Sequence, residues 1–226
     1  MDSLAQMVVN YWAQAYEQNA INTLVGMFAD NAANDSGDLI NDISGSGGAA
    51  AIISDGAVID AQAKLGENGT VGRGDLNNGG FAAIVVHPAT YALLRHQNAI
   101  DVIPVGDQQR PVEVYMGMVV IVTRNAPEGG GDYVTYIVKN GALQFGQSTV
   151  GYTPTEVDRD ATTGFGIDAL YTRRVFAVHP MGTAWQEDTV TGDITPSDAN
   201  LQLSANWDRV FAAENMRAVM IKHKIA

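Results

Sequence analysis

YTRRVFAVHPMGTAW, residues Tyr171 to Trp185, decides how this chain is read. As a strand it places Arg173, Val175, Ala177 and His179 on one face and Arg174, Phe176 and Val178 on the other. Both faces begin charged and turn apolar, so one end of the strand belongs in water and the other in a packed layer. Pro180 cannot donate to a ladder and is expected to end the pairing or lie on an edge. Gly182 permits a sharp change of direction, and Trp185 offers a large apolar anchor.

Working outward, Val150 to Asp160 is the expected partner strand, pairing with Leu170 to His179 as a long hairpin. Downstream, Thr195-Pro196-Ser197-Asp198 reads as a helix start with Thr195 as cap and Pro196 at the first position. Met216 to Lys224 is a final strand with a basic end. Upstream, Phe81 to Val86 is wholly apolar and predicts a strand buried on both faces. His87-Pro88 then opens a helix over Ala89 to Gln97, Pro88 suiting its first turn. Ala99 to Pro104, Val112 to Tyr115, Met118 to Thr123 and Tyr133 to Lys139 read as strands. Asn140-Gly141 reads as a tight hairpin turn, so Leu143 to Phe145 should close that sheet.

The chain begins with a helix expected from Ser3 to about Ala29. Apolar residues cover most of its circumference, which means cover on several sides, and Trp12 and Phe28 should both be buried. Asp30 to Ala51 is rich in Gly, Ser, Asn and Asp and reads as a connection. Ser54 caps a second helix that stops at Gly66. Glu67 to Gly80 is a glycine-rich loop, and its Arg73-Gly74-Asp75 is too short a match to mean integrin binding. The organisation is therefore α+β: 1–51, a long helix and linker; 52–146, a mixed sheet with helices; 147–226, a hairpin and C-terminal segment.

Composition excludes several function classes. Hydrophobic residues make up 46% of the 226, enough to build a core, but charged residues only 17%, against about 25% in ordinary domains. Much of the surface is then uncharged or buried against other chains. There is no cysteine, which removes disulfides, thiol catalysis and cysteine zinc sites. A net charge of −12 has the wrong sign for gripping phosphates. No run approaches the ~18 apolar residues of a membrane span, and Met1-Asp2-Ser3 opens no signal peptide. The sequons at Asn34 and Asn68 are read as chance.

Catalytic constellations are absent by pattern. The histidines are His87, His96, His179 and His223, and no HExxH or HxxxH occurs. A hydrolytic metal site could be assembled from His87, His179, Asp158 and Asp160, but strand-end histidines before proline commonly cap backbone groups. Asp158-Arg159-Asp160 reads as an ion pair within a strand or between subunits, because Arg159 would keep both carboxylates ionised. Nucleophile elbow, phosphate loop and dinucleotide fingerprint are all missing. The reading is a non-enzyme with no catalytic, cofactor-binding or metal residues and no cofactor.

The segments RRVFAVHPMGTAW, TPSDANL, ANWDRV and ENMRAVMIKHK, together with YWAQAYEQNAINTLVGMFADN and AAIVVHPATYALLRHQNAIDVIP, resemble the coliphage-type bacteriophage major capsid family, which has the Hong Kong 97 shell fold. The resemblance implies a spine helix and hairpin in a peripheral domain and an axial domain over 52–146. It implies self-assembly into an icosahedral shell around double-stranded DNA, as pentamers and hexamers, in a virion built in the bacterial cytoplasm. Scaffold, portal or decoration proteins would be further partners, DNA would be contacted non-specifically at most, and no membrane is involved. An encapsulin-type compartment, enclosing protein rather than DNA, is the alternative within the fold; a metal-dependent hydrolase is the alternative outside it. The family's N-terminal arm and extended loop have no counterpart before Ser3, so this chain is expected not to build a normal shell by itself.

Overall fold

The computed structural model describes residues 2–69, 80–103, 111–149, 151–162, 164, 166–187, 189–190 and 195–225. The Arg73-Gly74-Asp75 tripeptide, Pro104, Arg110 and much of the expected glycine-rich loop lie outside them. The first helix, α1, runs Asp2–Asn34, about 50 Å at ~1.5 Å per residue. It is longer than the sequence pattern suggested because Asp30, Asn31 and Asn34 make hydrogen bonds that hold its last turn. Past it comes β1 (Ile40–Asp42), then α2 (Asp55–Ala63), whose Ser54 cap accepts from the Ala57 amide. Strand β2 (Phe81–Val86) leads into α3 (Pro88–His96), followed by β3 (Asp101–Ile103), β4 (Val112–Tyr115), β5 (Met118–Val122), β6 (Glu128–Gly129) and β7 (Asp132–Lys139). Then come β8 (Leu143–Ser148), β9 (Thr155–Asp160), β10 (Ile167–Thr172), β11 (Val175–Pro180) and β12 (Thr183–Trp185). The chain closes with α4 (Asp198–Gln202), β13 (Trp207–Arg209) and β14 (Ala218–Lys224).

The main sheet has the order β1-β14-β7-β2-β5-β4-β3, with β6 attached to β7. It is mixed: β1 lies parallel to β14 and β2 parallel to β5, while the other pairs are antiparallel. The late strand β14 sits inside this sheet, flanked by strands made much earlier. Its alternation reads out on both faces. Val219, Ile221 and His223 share one face with Ile137, Thr135 and Tyr133. On the opposite face Tyr136 stacks on Phe28 of α1, ring centroids 5.5 Å apart. The core is continuous from Ile21, Leu24 and Phe28 through Ile84, Val86 and Ile137 to Val58 and Ala61 of α2 and Leu65 just after it. It is thus an α+β molecule with a long helix along a mixed sheet.

Two expected pairings are corrected. Leu143 to Phe145 does not close the main sheet: β8 pairs with β11, in register Leu143↔Pro180 to Ser148↔Val175. The Asn140-Gly141 turn, with Gly141 at φ +75°, therefore carries the chain out of one sheet into another. The long hairpin consequently consists of two stacked segments. Among the described residues β9 pairs only with β10, and Val175 to His179 pair with β8. The cap of α4 is Ser197, not Thr195. Ser197 and Asn200 form a reciprocal capping box, which satisfies two helix-end donors at once.

Candidate functional site

α1 divides into two halves. From Ile21 to Asn31 it is enclosed, whereas Leu4, Met7, Val9 and Tyr11 are all more than half exposed. Cover on several sides thus holds only for the C-terminal half. Phe28 is buried, but Trp12 is only half-buried. Trp12 is instead a strut: its indole N–H donates to Thr172 Oγ1 at 3.1 Å, and the Arg174 guanidinium lies 5.4 Å above its ring. One turn on, the Tyr16 ring meets Phe145 and Phe176 edge-on, at 5.3 and 4.6 Å, and its hydroxyl accepts from Arg174 at 3.1 Å. Aromatic edge-to-face contacts of this kind fix an angle as well as burying area. They anchor the β8–β11 segment on the helix. Beyond Arg173, whose amide donates to Pro154 O at 2.9 Å, the β9–β10 segment continues as a two-stranded ribbon.

Nearly every residue of that ribbon is exposed, including Val157, Ile167, Leu170 and Tyr171. A further exposed apolar group lies on the main sheet, where Val119, Ile121, Val102 and Ile103 are open on β5 and β3. Surfaces of this type are what a subunit leaves uncovered for its neighbours.

The C-terminal end of α1 is held by one arginine. Arg209 donates from one guanidinium nitrogen to Asp38 at 2.7 and 2.9 Å and sets the other 3.1 Å from Asp35. Its own amide donates to Asp30 at 3.1 Å. A helix C-terminus repels carboxylates, and α1 has no basic residue in its last turn. Arg209, from a distant strand, answers this. Burial pushes the Asp30 carboxyl above its ordinary range, with the Asp35 charge adding to it. Burial pushes Asp38 up as well, but hydrogen bonds from Asn31 and Arg209 and the Arg209 charge together hold it below that range. Next to Arg209, Trp207 fills the notch left by Gly26 of α1, donates to Leu201 O at 2.7 Å and packs against Trp185 and His179.

The residues of the imagined hydrolytic site are dispersed. His87 caps α3, its ring nitrogen accepting from the Ala89 amide at 3.2 Å, and its other nitrogen lies 3.4 Å from Glu128. His179 sits on β11 with its ring against Trp207. Asp158 and Asp160 lie out on the ribbon, where Arg159 pairs across the strands with Asp168 at 3.7 Å. Among the described residues no group of three or more histidine and acidic side chains converges on a metal-sized space. Also among them, no helix is long and apolar enough to cross a membrane.

Sequence reasoning assigned no role to Arg209, Trp207 or Arg174. A usable signal existed for two of them. Gly26 interrupts a helix interior, which implies a close neighbour, and Asp30 and Asp35 load the wrong helix end with charge.

The phage capsid protein family matches this sequence over residues 1–186. The chain is also 30% identical, over 232 aligned residues, to the major capsid protein of Bacillus phage SPP1. That alignment takes in all of this chain and 65% of the relative's length.

Proposed function

Because this chain belongs to the phage capsid protein family, we propose that it is a major capsid subunit of a tailed bacteriophage or prophage. Copies of it associate into the icosahedral shell that encloses double-stranded DNA. The role is architectural, not catalytic: many moderate interfaces repeated by symmetry hold the particle together. The observation that carries the reading beyond the family match is the distribution of uncovered apolar surface. It is concentrated on the free half of α1, on the ribbon and on the β3–β5 end of the main sheet, three separate places that a monomer has no reason to leave bare.

In finer detail the reading takes the Hong Kong 97 arrangement, with α1 as the spine and the hairpin beside it in a peripheral domain. Residues 52–146 would form the axial domain, which meets its copies around fivefold and quasi-sixfold axes, and 1–51 and 147–226 the remainder. In the main sheet β14 lies next to β7 and β1 next to β14, so on this reading strands from outside 52–146 would complete the axial sheet. Scaffold, portal or decoration proteins are the further partners, and the setting is the virion, assembled in the host cytoplasm. With a net charge of −12, the wall holds DNA by enclosure and not by grip.

The test is quantitative mass spectrometry of purified particles. Peptides from this chain should dominate the particle protein, at hundreds of copies per portal ring, and the particles should contain nuclease-protected DNA. Absence of the chain from particles would sink the proposal. Particles of this chain filled with protein and free of DNA would favour an encapsulin-type compartment.

A further inference from the structure

We propose that the β9–β10 ribbon of one copy docks on the aromatic cleft beside α1 of a neighbouring copy, with Asp158 meeting Arg174 and Ile167 entering the cleft. This rests on the reading that the chain works as one of many copies.

The ribbon needs cover. Two strands with both edges open and both faces in water are marginally stable on their own, yet among the described residues β9 and β10 pair with nothing else. Its register sorts the side chains. Glu156↔Tyr171, Asp158↔Ala169 and Asp160↔Ile167 share one face, which carries an acidic column on β9 and an apolar column on β10. The other face holds Val157↔Leu170 and the Arg159–Asp168 ion pair, so its charge is balanced. Glu156 on the first face is answered by Arg173 at 3.0 Å.

The receiving site has the complementary character. A cleft of about 390 Å³ runs beside α1, lined by Phe176, Val178, Trp185, Leu201 and Trp207, with Arg174 on its rim. Arg174 is exposed, yet it is held by the Tyr16 hydroxyl and the Trp12 ring. It forms no ion pair with a carboxylate among the described residues. In a chain with 25 acidic and 13 basic residues, a positioned and unpaired guanidinium beside an apolar cleft suits a partner that is both acidic and apolar. The first face of the ribbon has both properties.

A ribbon cannot serve its own cleft. Seven residues of extended strand at ~3.3 Å each separate Ile167 from Arg174 by about 23 Å, and the β11 and β10 strands are locked in line by the Arg173–Pro154 hydrogen bond. The contact therefore joins two different surfaces of two copies. Such a heterologous contact leaves one free ribbon at one end of an open row of copies and one free cleft at the other until a ring closes.

The chain has no cysteine, which makes site-directed cross-linking clean. Ala169→Cys, on the docking face, and Asn19→Cys, on the cleft wall, are co-produced in phage particles as two single variants and oxidised. A 19–169 disulfide between chains, identified by peptide mass, is the expected result, and it should be absent when either variant is alone. In parallel, Arg174→Glu and Asp158→Lys should each lower particle yield by roughly tenfold or more, since like charges face each other at the contact. The combined variant should restore most of that loss. The thermal midpoint of the Asp158→Lys subunit should stay unchanged, and because Arg174→Glu also gives up the Tyr16 and Trp12 contacts, the rescue in the combined variant is what reads the contact between copies. Particles that form in full yield with either reversal, or that give no 19–169 link, overturn the proposal while leaving the shell role intact. Absence of the unmodified chain from particles instead overturns the shell role.

Discussion

Replacing Arg209 by alanine tests the structural argument most directly. The guanidinium side chain is only 14% exposed and holds Asp38 and Asp35 from opposite nitrogens. Removing it leaves these two carboxylates, and Asp30 beside them, at the negative end of a long helix. Breaking a buried ion pair from one side costs about 3–5 kcal/mol. The Asp38 side chain is 40% exposed and so partly screened, which places the expected loss near the lower end, ~3 kcal/mol. For a chain of this size that is a fall in Tm of roughly 6–12 °C. Arg209→Lys should fall between, since an ammonium keeps the charge but cannot fork to two carboxylates. The pH dependence identifies the cause. Asp38 is held below its ordinary range, so its contribution is full above the unfolded value of about 3.9 and disappears as pH falls through the folded value. The gap between Arg209→Ala and the unmodified chain, measured from chemical denaturation midpoints, should therefore hold steady above about pH 5 and narrow as pH drops from there towards about 2. A loss under ~1 kcal/mol, or a gap that stays constant across that range, would mean the side chain acts through the packing of its stem and not through charge.

Gly26→Ala should destabilise by about 1–3 kcal/mol despite the better helix propensity of alanine, because the added Cβ would overlap the Leu201 carbonyl oxygen and the Trp207 indole nitrogen; a stabilised variant in urea melts would refute the notch. His223 is fully buried, between the Thr135 hydroxyl and the Lys224 carbonyl, and burial holds its imidazole below its ordinary value. Its contribution is therefore complete above about pH 6.5 and erodes as pH falls below it, by up to ~1.4 kcal/mol per pH unit. Denaturation midpoints between pH 7.5 and 5 should fall more steeply for the unmodified chain than for His223→Gln, and parallel slopes would exclude the residue as the source. Phe28→Ala should cost about 3–5 kcal/mol, whereas Trp12→Ala, at a half-exposed strut, should cost clearly less. Equal midpoints for the two would contradict the division of α1 into an enclosed and a free half.

The helices were legible because their signals are local. Ser54 before α2 and His87-Pro88 before α3 announce caps within a few residues of the groups they satisfy. The strands of the main sheet were legible as strands, but their partners were not. Asn140-Gly141 looks like a hairpin turn on any local reading, and the choice of β11 over β7 as the partner of β8 is made by Tyr16, Phe145 and Phe176 packing together across more than a hundred residues of sequence. The same holds for the clasp at the end of α1: Arg209 and Asp30 are 179 positions apart, and no periodicity in either segment points to the other. The ribbon's exposure was hidden for a different reason. Alternating apolar residues predict a half-buried strand, and nothing within one chain says whether the other half is buried by that chain or by its neighbour.

Strand β14 takes its residues from 218–224 and lies between β1, from 40–42, and β7, from 132–139. A ribosome delivers β1 and β7 long before it delivers their common neighbour. Until then the two flanking strands face a gap, and the apolar surfaces destined for Val219 and Ile221 wait in the open. The sheet therefore cannot finish folding while the chain is still growing through residue 224; its last major piece arrives as a wedge into a prepared slot. Nascent chains on one message consequently carry incomplete sheets side by side, exposed to mispairing, and a chaperone that shields this slot would act in the interval between synthesis of Lys139 and release of Lys224.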